Sequence, residues 1–121
     1  MSQSRVALGK IGEDLACAEL TRLGYAILAR RYRRRGGELD IVARDGPTIV
    51  FVEVKARERL DYGAGGEAVT ALKRRRMAAV ALDYLARHRL VECPCRFDVV
   101  ALDLRGPEPK IEVYRNAFDV T

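Results

Sequence analysis

Residues 49–56 read Ile-Val-Phe-Val-Glu-Val-Lys-Ala, a β-branched run broken by two charges, Glu53 and Lys55. A run this rich in Ile and Val has the residues of a central strand. Side chains alternate along a strand, so Glu53 and Lys55 share one face while Val52 and Val54 share the other. A second apolar run, Leu39–Arg44, carries Glu38 and Asp40 in the same alternation, and Asp45-Gly46-Pro47 between the two runs reads as a tight turn. The chain must therefore fold around a hairpin that places charges on a half-buried sheet.

The register of that hairpin decides which charges meet. If Arg44 pairs with Pro47, Glu38 faces Glu53 and Asp40 sits diagonally from it. If Arg44 pairs with Ile49, Asp40 faces Glu53 directly. Both registers put Asp40 and Glu53 on one face, roughly 5–8 Å apart at Cβ. A three-residue turn without a bulge sends them to opposite faces. Adjacent carboxylates repel, and the repulsion is relieved by a raised pKa, a salt bridge or a bound cation. Hard oxygen ligands favour Mg²⁺, with Mn²⁺ as a substitute. Lys55, one side-chain step beyond Glu53, suits stabilising charge on a phosphate or orienting an attacking water. A metal held there would activate that water and polarise a phosphodiester. The plain alternative for Glu38, Asp40, Glu53 and Lys55 is a solvated face with an ordinary cross-strand ion pair.

The rest of the chain supplies the frame. Leu8, Ile11, Leu15, Ala18 or Glu19, and Arg22 or Leu23 follow helical spacing over residues 5–23, and Gly24 ends the helix. A strand follows near Tyr25–Arg31. Leu60–Gly66 holds three glycines and reads as a loop. A long helix over residues 68–89 buries Val69, Leu72, Met77, Val80 or Ala81, Tyr84 and Leu85. Strands at Phe97–Leu104 and Ile111–Tyr114 flank a turn at Arg105–Pro109. The order is αβββαββ: an α/β sandwich, a small mixed sheet flanked by helices. The first three strands form a meander, and the long helix is a crossover that lets the fourth lie parallel to a neighbour. The 121 residues suit one domain over 1–121.

Composition narrows the function classes. No apolar run approaches the roughly 18 residues that span a membrane, and the N-terminus lacks a secretory pattern. The expected place is cytoplasmic, with no membrane partner. Three cysteines, Cys17, Cys93 and Cys95, and one histidine, His88, make a poor disulfide framework and a poor zinc site. The net charge of +5 allows an anionic partner without requiring one. With 18 Arg against 4 Lys, basic balance alone says little, whereas each lysine gains weight. Arg30–Arg35 and Lys73–Arg76 are basic clusters, and Arg31, Arg33, Arg34, Arg35, Lys73 and Arg74 are candidates for neutralising phosphates. Tyr32 is a candidate stacking contact. Leu60–Gly66, with Tyr62, either orders over substrate or merely connects. Solvated charge is the competing reading of both clusters.

Four segments taken together carry a resemblance: Gly-Lys-Ile-Gly-Glu-Asp-Leu-Ala (9–16), Leu-Gly-Tyr (23–25), Gly-Glu-Leu-Asp-Ile-Val-Ala-Arg-Asp (37–45) and Val-Phe-Val-Glu-Val-Lys-Ala-Arg (50–57). This pattern resembles the YraN-like bacterial family, which is similar to archaeal Holliday junction resolvases within the PD-(D/E)xK nuclease superfamily. The resemblance implies a restriction-endonuclease-like fold and an Mg²⁺- or Mn²⁺-dependent endonuclease acting on DNA, branched structures included, as a homodimer. It implies that Asp40 and Glu53 bind metal and that Lys55 is the lysine of the motif. Glu13 matches the first-helix acid that reaches the metal site, often through water. Lys73 matches a basic or amide position at the start of the second helix, and Glu38 stands in the Gly-Glu-x-Asp motif as a supporting residue. Arg30–Arg35 replaces an Asn-Tyr-Arg-type segment, a departure that leaves the implied catalytic set untouched. Gly9 and Gly12 lie near Glu13, where a strand or phosphate backbone can approach closely. Two rival functions remain: a non-catalytic nucleic-acid-binding module, and a scaffold for protein partners.

Overall fold

A computed structural model describes residues 2–57 and 69–118. The chain runs α1 (Ser2–Arg22), β1 (Ala26–Arg34), β2 (Gly37–Asp45), β3 (Thr48–Arg57), α2 (Ala71–Arg87), β4 (Cys95–Asp103) and β5 (Lys110–Phe118). The strands form one sheet in the order β1-β2-β3-β4-β5. β1, β2 and β3 are an antiparallel meander, β4 runs parallel to β3, and β5 returns antiparallel to β4. A parallel neighbour needs a crossover, and α2 lies in it.

Each helix covers one side of the sheet. On the α2 side, Met77, Val80, Ala81, Tyr84 and Leu85 pack on Leu39, Val42, Ile49, Phe51 and Phe97. On the α1 side, Ala16 and Leu20 pack on Ile41, Ala43, Val50, Val52, Val100 and Leu102. Full burial of such a side chain stabilises by about 1.5–3 kcal/mol, so the central strands, apolar on both faces, hold the molecule together.

Two local rules position the hairpin and the first helix. Asp45 pairs with Thr48 across Gly46-Pro47, and Gly46 takes φ 59°, as the first central position of a two-residue hairpin turn requires. At Gly12 an added Cβ would stand 3.3 Å from Leu102 Cδ1, so the helix sits close on β4. Gly9 meets no such neighbour.

That close approach corrects the expected helix face. Gly12, Glu13, Ala16 and Leu20 are buried, whereas Ile11 is 49% exposed. Leu72, expected in the α2 stripe, is also exposed, because it lies in the first turn at the rim of a cleft. β1 continues to Arg34 and β5 to Phe118, both beyond the expected ends. β5 gets past Tyr114 through a bulge at which Asn116 adopts φ 53° and donates its N–H to Asp98 Oδ1 at 2.9 Å. The Leu60–Gly66 loop and Tyr62 lie outside the described residues. Among the described residues, no helix is long and apolar enough to cross a membrane.

Candidate metal centre and its surroundings

The hairpin register pairs Arg44 with Ile49, the alternative that sets Asp40 opposite Glu53. The ladder ends at Ile41–Val52. Beyond it the two strands part, and Val54 N–H donates to Asp40 Oδ2 at 2.8 Å instead of to a β2 carbonyl. The facing strand is distorted at the same level. Arg30 pairs with Ile41 and Tyr32 with Leu39, while Arg31 between them takes φ 52°. An L-residue held there needs surrounding contacts to keep it.

Asp40 and Glu53 line one cleft of about 400 Å³ with Gly37, Thr70, Lys73 and Met77. Glu53 is only 3% exposed. Burial, and then the hydrogen bond and charge of Glu53, push the Asp40 carboxyl up to about 8; the Val54 N–H and Lys73 oppose that rise. Near neutral pH the Asp40 carboxyl therefore keeps its proton. The Lys73 ammonium is in direct contact with Glu53 Oε2. It stands at the start of α2, where Thr70 caps the helix by accepting from Lys73 N–H at 3.2 Å. Lys73, a nucleic-acid candidate from the sequence, is thus engaged with the acidic pair.

Lys55 shares the face of Glu53 but lines the adjoining groove and not the cleft. Glu13 does not join the pair: it is buried against β1, where Arg30 Nε donates to Oε1 at 2.8 Å and Arg31 Nε to Oε2 at 3.0 Å. The physical reason is that two guanidinium groups on the α1 side, one carried there by the distortion at Arg31, satisfy the carboxylate. Among the described residues, no cluster of three or more His, Cys, Asp or Glu side chains able to hold a metal is present. Glu38 lies on the cleft rim and pairs with Arg33 at 3.2 Å.

The basic cluster of β1 is largely spent on ion pairs. Arg31 serves Glu13, Arg33 serves Glu38, and Arg34 meets Asp83 at 2.9 Å. Arg35 is exposed in the turn. Tyr32 offers no free ring for stacking: it packs edge-on to Tyr84 at 5.1 Å, and its hydroxyl donates to Asp83 at 2.6 Å. Arg74 Nε donates to the Val69 carbonyl at 2.9 Å.

Sequence reasoning missed a second concavity. On the α2 side, beyond the helix, a groove of about 780 Å³ starts at Lys55 and runs over β4 and β5 past Arg57, Ala101, Lys110 and Tyr114. Pairing of Ala101 with Glu112 and Val99 with Tyr114 brings these side chains to one face. The only hint in the sequence was the polar–apolar alternation of residues 110–114, which does not say which face is open.

These features define an α/β domain with an acidic pair, Glu53 buried and Asp40 half-buried, where a hairpin opens, beside a groove with a basic rim. The family model described as Uncharacterised protein family UPF0102 matches residues 12–102. A UPF0102 protein of Geobacter sulfurreducens is 50% identical over 114 residues, covering 93% of this chain and 89% of that one. One of Geobacter metallireducens is 48% identical over 120 residues, 99% of this chain and 98% of that one. One of Dehalococcoides mccartyi is 43% identical over 118 residues, 98% of each chain. The chain belongs to the UPF0102 family, in agreement with the YraN-like resemblance of its motifs.

Proposed function

We propose that this chain is a metal-dependent endonuclease of the PD-(D/E)xK type, hydrolysing DNA phosphodiesters. The reading is carried by one observation: Asp40 and Glu53 face each other in a cleft and already attract a cation, the Lys73 ammonium. The donor set fits the metal. Mg²⁺ keeps several waters and is bound through one or two carboxylates plus substrate phosphates, so a two-carboxylate site without Glu13 suffices.

In the mechanism that follows, Asp40 and Glu53 would hold Mg²⁺ or Mn²⁺, which when bound supplies a Lewis acid and an activated water. Asp40 must give up its proton to act as a ligand, so binding strengthens as pH rises towards 8. The Val54 N–H fixes one Asp40 oxygen and aims the carboxylate at Glu53. Lys55, at the mouth of the adjoining groove, meets the phosphate and stabilises the charge it develops. Lys73, now in contact with Glu53 Oε2, would have to yield that oxygen to a bound cation.

The test is cleavage of linear, nicked, flapped and four-way DNA with Mn²⁺. Asp40→Ala, Glu53→Ala and Lys55→Ala should each abolish cleavage while largely sparing binding. Cleavage that survives in Asp40→Ala would overturn the proposal. A second reading, a non-catalytic nucleic-acid-binding module, is favoured by the ion pairs that hold Glu13 and Glu53. It predicts salt-sensitive binding and no cleavage of any substrate.

A further inference from the structure

We propose that the groove beginning at Lys55 is a binding site for an unpaired nucleic-acid strand, so that the substrate of the neighbouring cleft is single-stranded or flapped. This rests on the endonuclease reading and names its substrate class. The groove has two kinds of lining, and both are needed for an unpaired strand. Its rim carries Lys55, Arg57, Arg74 and Lys110, whereas Arg115 borders it but holds its guanidinium 5.5 Å from the Tyr25 ring on the α1 side. Its floor offers Val99, Ala101 and Tyr114. Phosphates need cations, and unpaired bases need apolar or aromatic faces. A duplex presents phosphates outward but keeps its bases stacked inside, so the floor would gain nothing from it.

The charge balance points the same way. Four cations, Lys55, Arg57, Arg74 and Lys110, stand against Asp103 and Glu112 in the lining. Both acids are engaged locally: Arg105 donates to Asp103 through Nε and Nη2, each at 2.9 Å, and the Tyr114 hydroxyl donates to Glu112. Tyr114 is 50% exposed on the edge strand, and among the described residues no ring contact covers it. Arg74 lies 5.3 Å over the buried Phe118 ring, which fixes that cation at the inner end of the groove. The groove is also continuous with chemistry, because Lys55 at its end stands two residues from Glu53 on the same face of β3.

Fluorescence anisotropy with a labelled single-stranded DNA, the same sequence as single-stranded RNA, and a blunt duplex, all in EDTA, tests the proposal on the full chain. The wild type should bind the single strands more tightly than the duplex. Tyr114→Ala should weaken single-strand binding at least about fivefold, since stacking of one base is worth about 1–3 kcal/mol. Tyr114→Phe should restore it, and Lys110→Glu should weaken it in a salt-dependent way. Melting curves of the variants should match the wild type. A preference between DNA and RNA identifies the strand taken, and either counts in favour. Equal or tighter duplex binding, or single-strand affinity unmoved in Tyr114→Ala and Lys110→Glu, overturns the groove assignment. The EDTA arm contains no metal and so reads the groove alone. Mn²⁺ cleavage of the same oligonucleotide by wild type and Asp40→Ala reads the nuclease assignment separately, and either can fail while the other stands.

Discussion

The two faces of the sheet treat their acids differently. On the α1 side the buried carboxylates among the described residues, Glu13 and Asp98, are gripped by guanidinium groups. Glu13 takes Arg30 and Arg31. Asp98, fully buried, accepts Arg96 Nε at 3.0 Å, the Tyr25 hydroxyl at 3.0 Å and the Asn116 N–H at 2.9 Å. Arg96 also reaches Asp45 at 2.8 Å, tying the hairpin end to β4. On the α2 side Asp40 and Glu53 meet each other, and the cation present is the tip of a half-exposed lysine. Planar guanidinium forks fix geometry, whereas an ammonium on a flexible stem is easily exchanged. The first arrangement builds a fold, and the second leaves a place where one cation can replace another.

The largest expected effect belongs to the α1 side. Asp98→Ala leaves Arg96, the Tyr25 hydroxyl and the Asn116 N–H without their common acceptor. Removing one partner of a buried ion pair costs about 3–5 kcal/mol, so the urea midpoint should fall steeply. A loss below about 1 kcal/mol would mean that this network is not structural, and the contrast between the faces would collapse.

The acid pair should respond in the opposite sense. Burial and the neighbouring Glu53 raise the Asp40 carboxyl from its ordinary 3.8 to about 8 in the folded chain. Between those values the native state holds a proton that the unfolded chain has lost. The stability tied to Asp40 is therefore full below about pH 4 and declines as pH rises towards 8, with a limiting slope of about 1.4 kcal/mol per pH unit. Asp40→Asn removes this decline while keeping an acceptor for the Val54 N–H. Its melting temperature should match the wild type near pH 4 and exceed it increasingly up to pH 8. A variant less stable than wild type at pH 8 would show that the carboxylate is held there by favourable contacts, as on the α1 side.

Part of this was legible in the sequence for a simple reason. Of the hairpin registers considered, the two without a face change both bring Asp40 and Glu53 together, so the acidic pair did not depend on choosing between them. Glu13 was not legible in that way. Its direction depends on how α1 rolls onto β4 at Gly12 and on the left-handed Arg31 that aims a guanidinium at it, and neither is a matter of spacing. The fate of Arg33 and Arg34 depended on partners far along the chain or across the turn, Asp83 and Glu38. The groove depended on the register of β5, set by a bulge at Asn116, and a lone Asn that tolerates positive φ does not say which face the strand turns outward.

The smallest effect is also the most discriminating between the faces. Lys73→Ala takes the ammonium from Glu53 without touching either carboxylate. The Lys73 side chain is 46% exposed, so solvent screens the pair and its loss should lower stability in EDTA by about 1 kcal/mol or less. Because the ammonium competes for the same oxygen as a metal would, Mn²⁺ affinity by calorimetry should rise a few-fold, and Mn²⁺ should raise the melting temperature of the variant more than that of the wild type. Weaker Mn²⁺ binding in Lys73→Ala would mean that Lys73 supports the site and does not stand in for its cation. The acid pair would then belong with the gripped carboxylates of the other face.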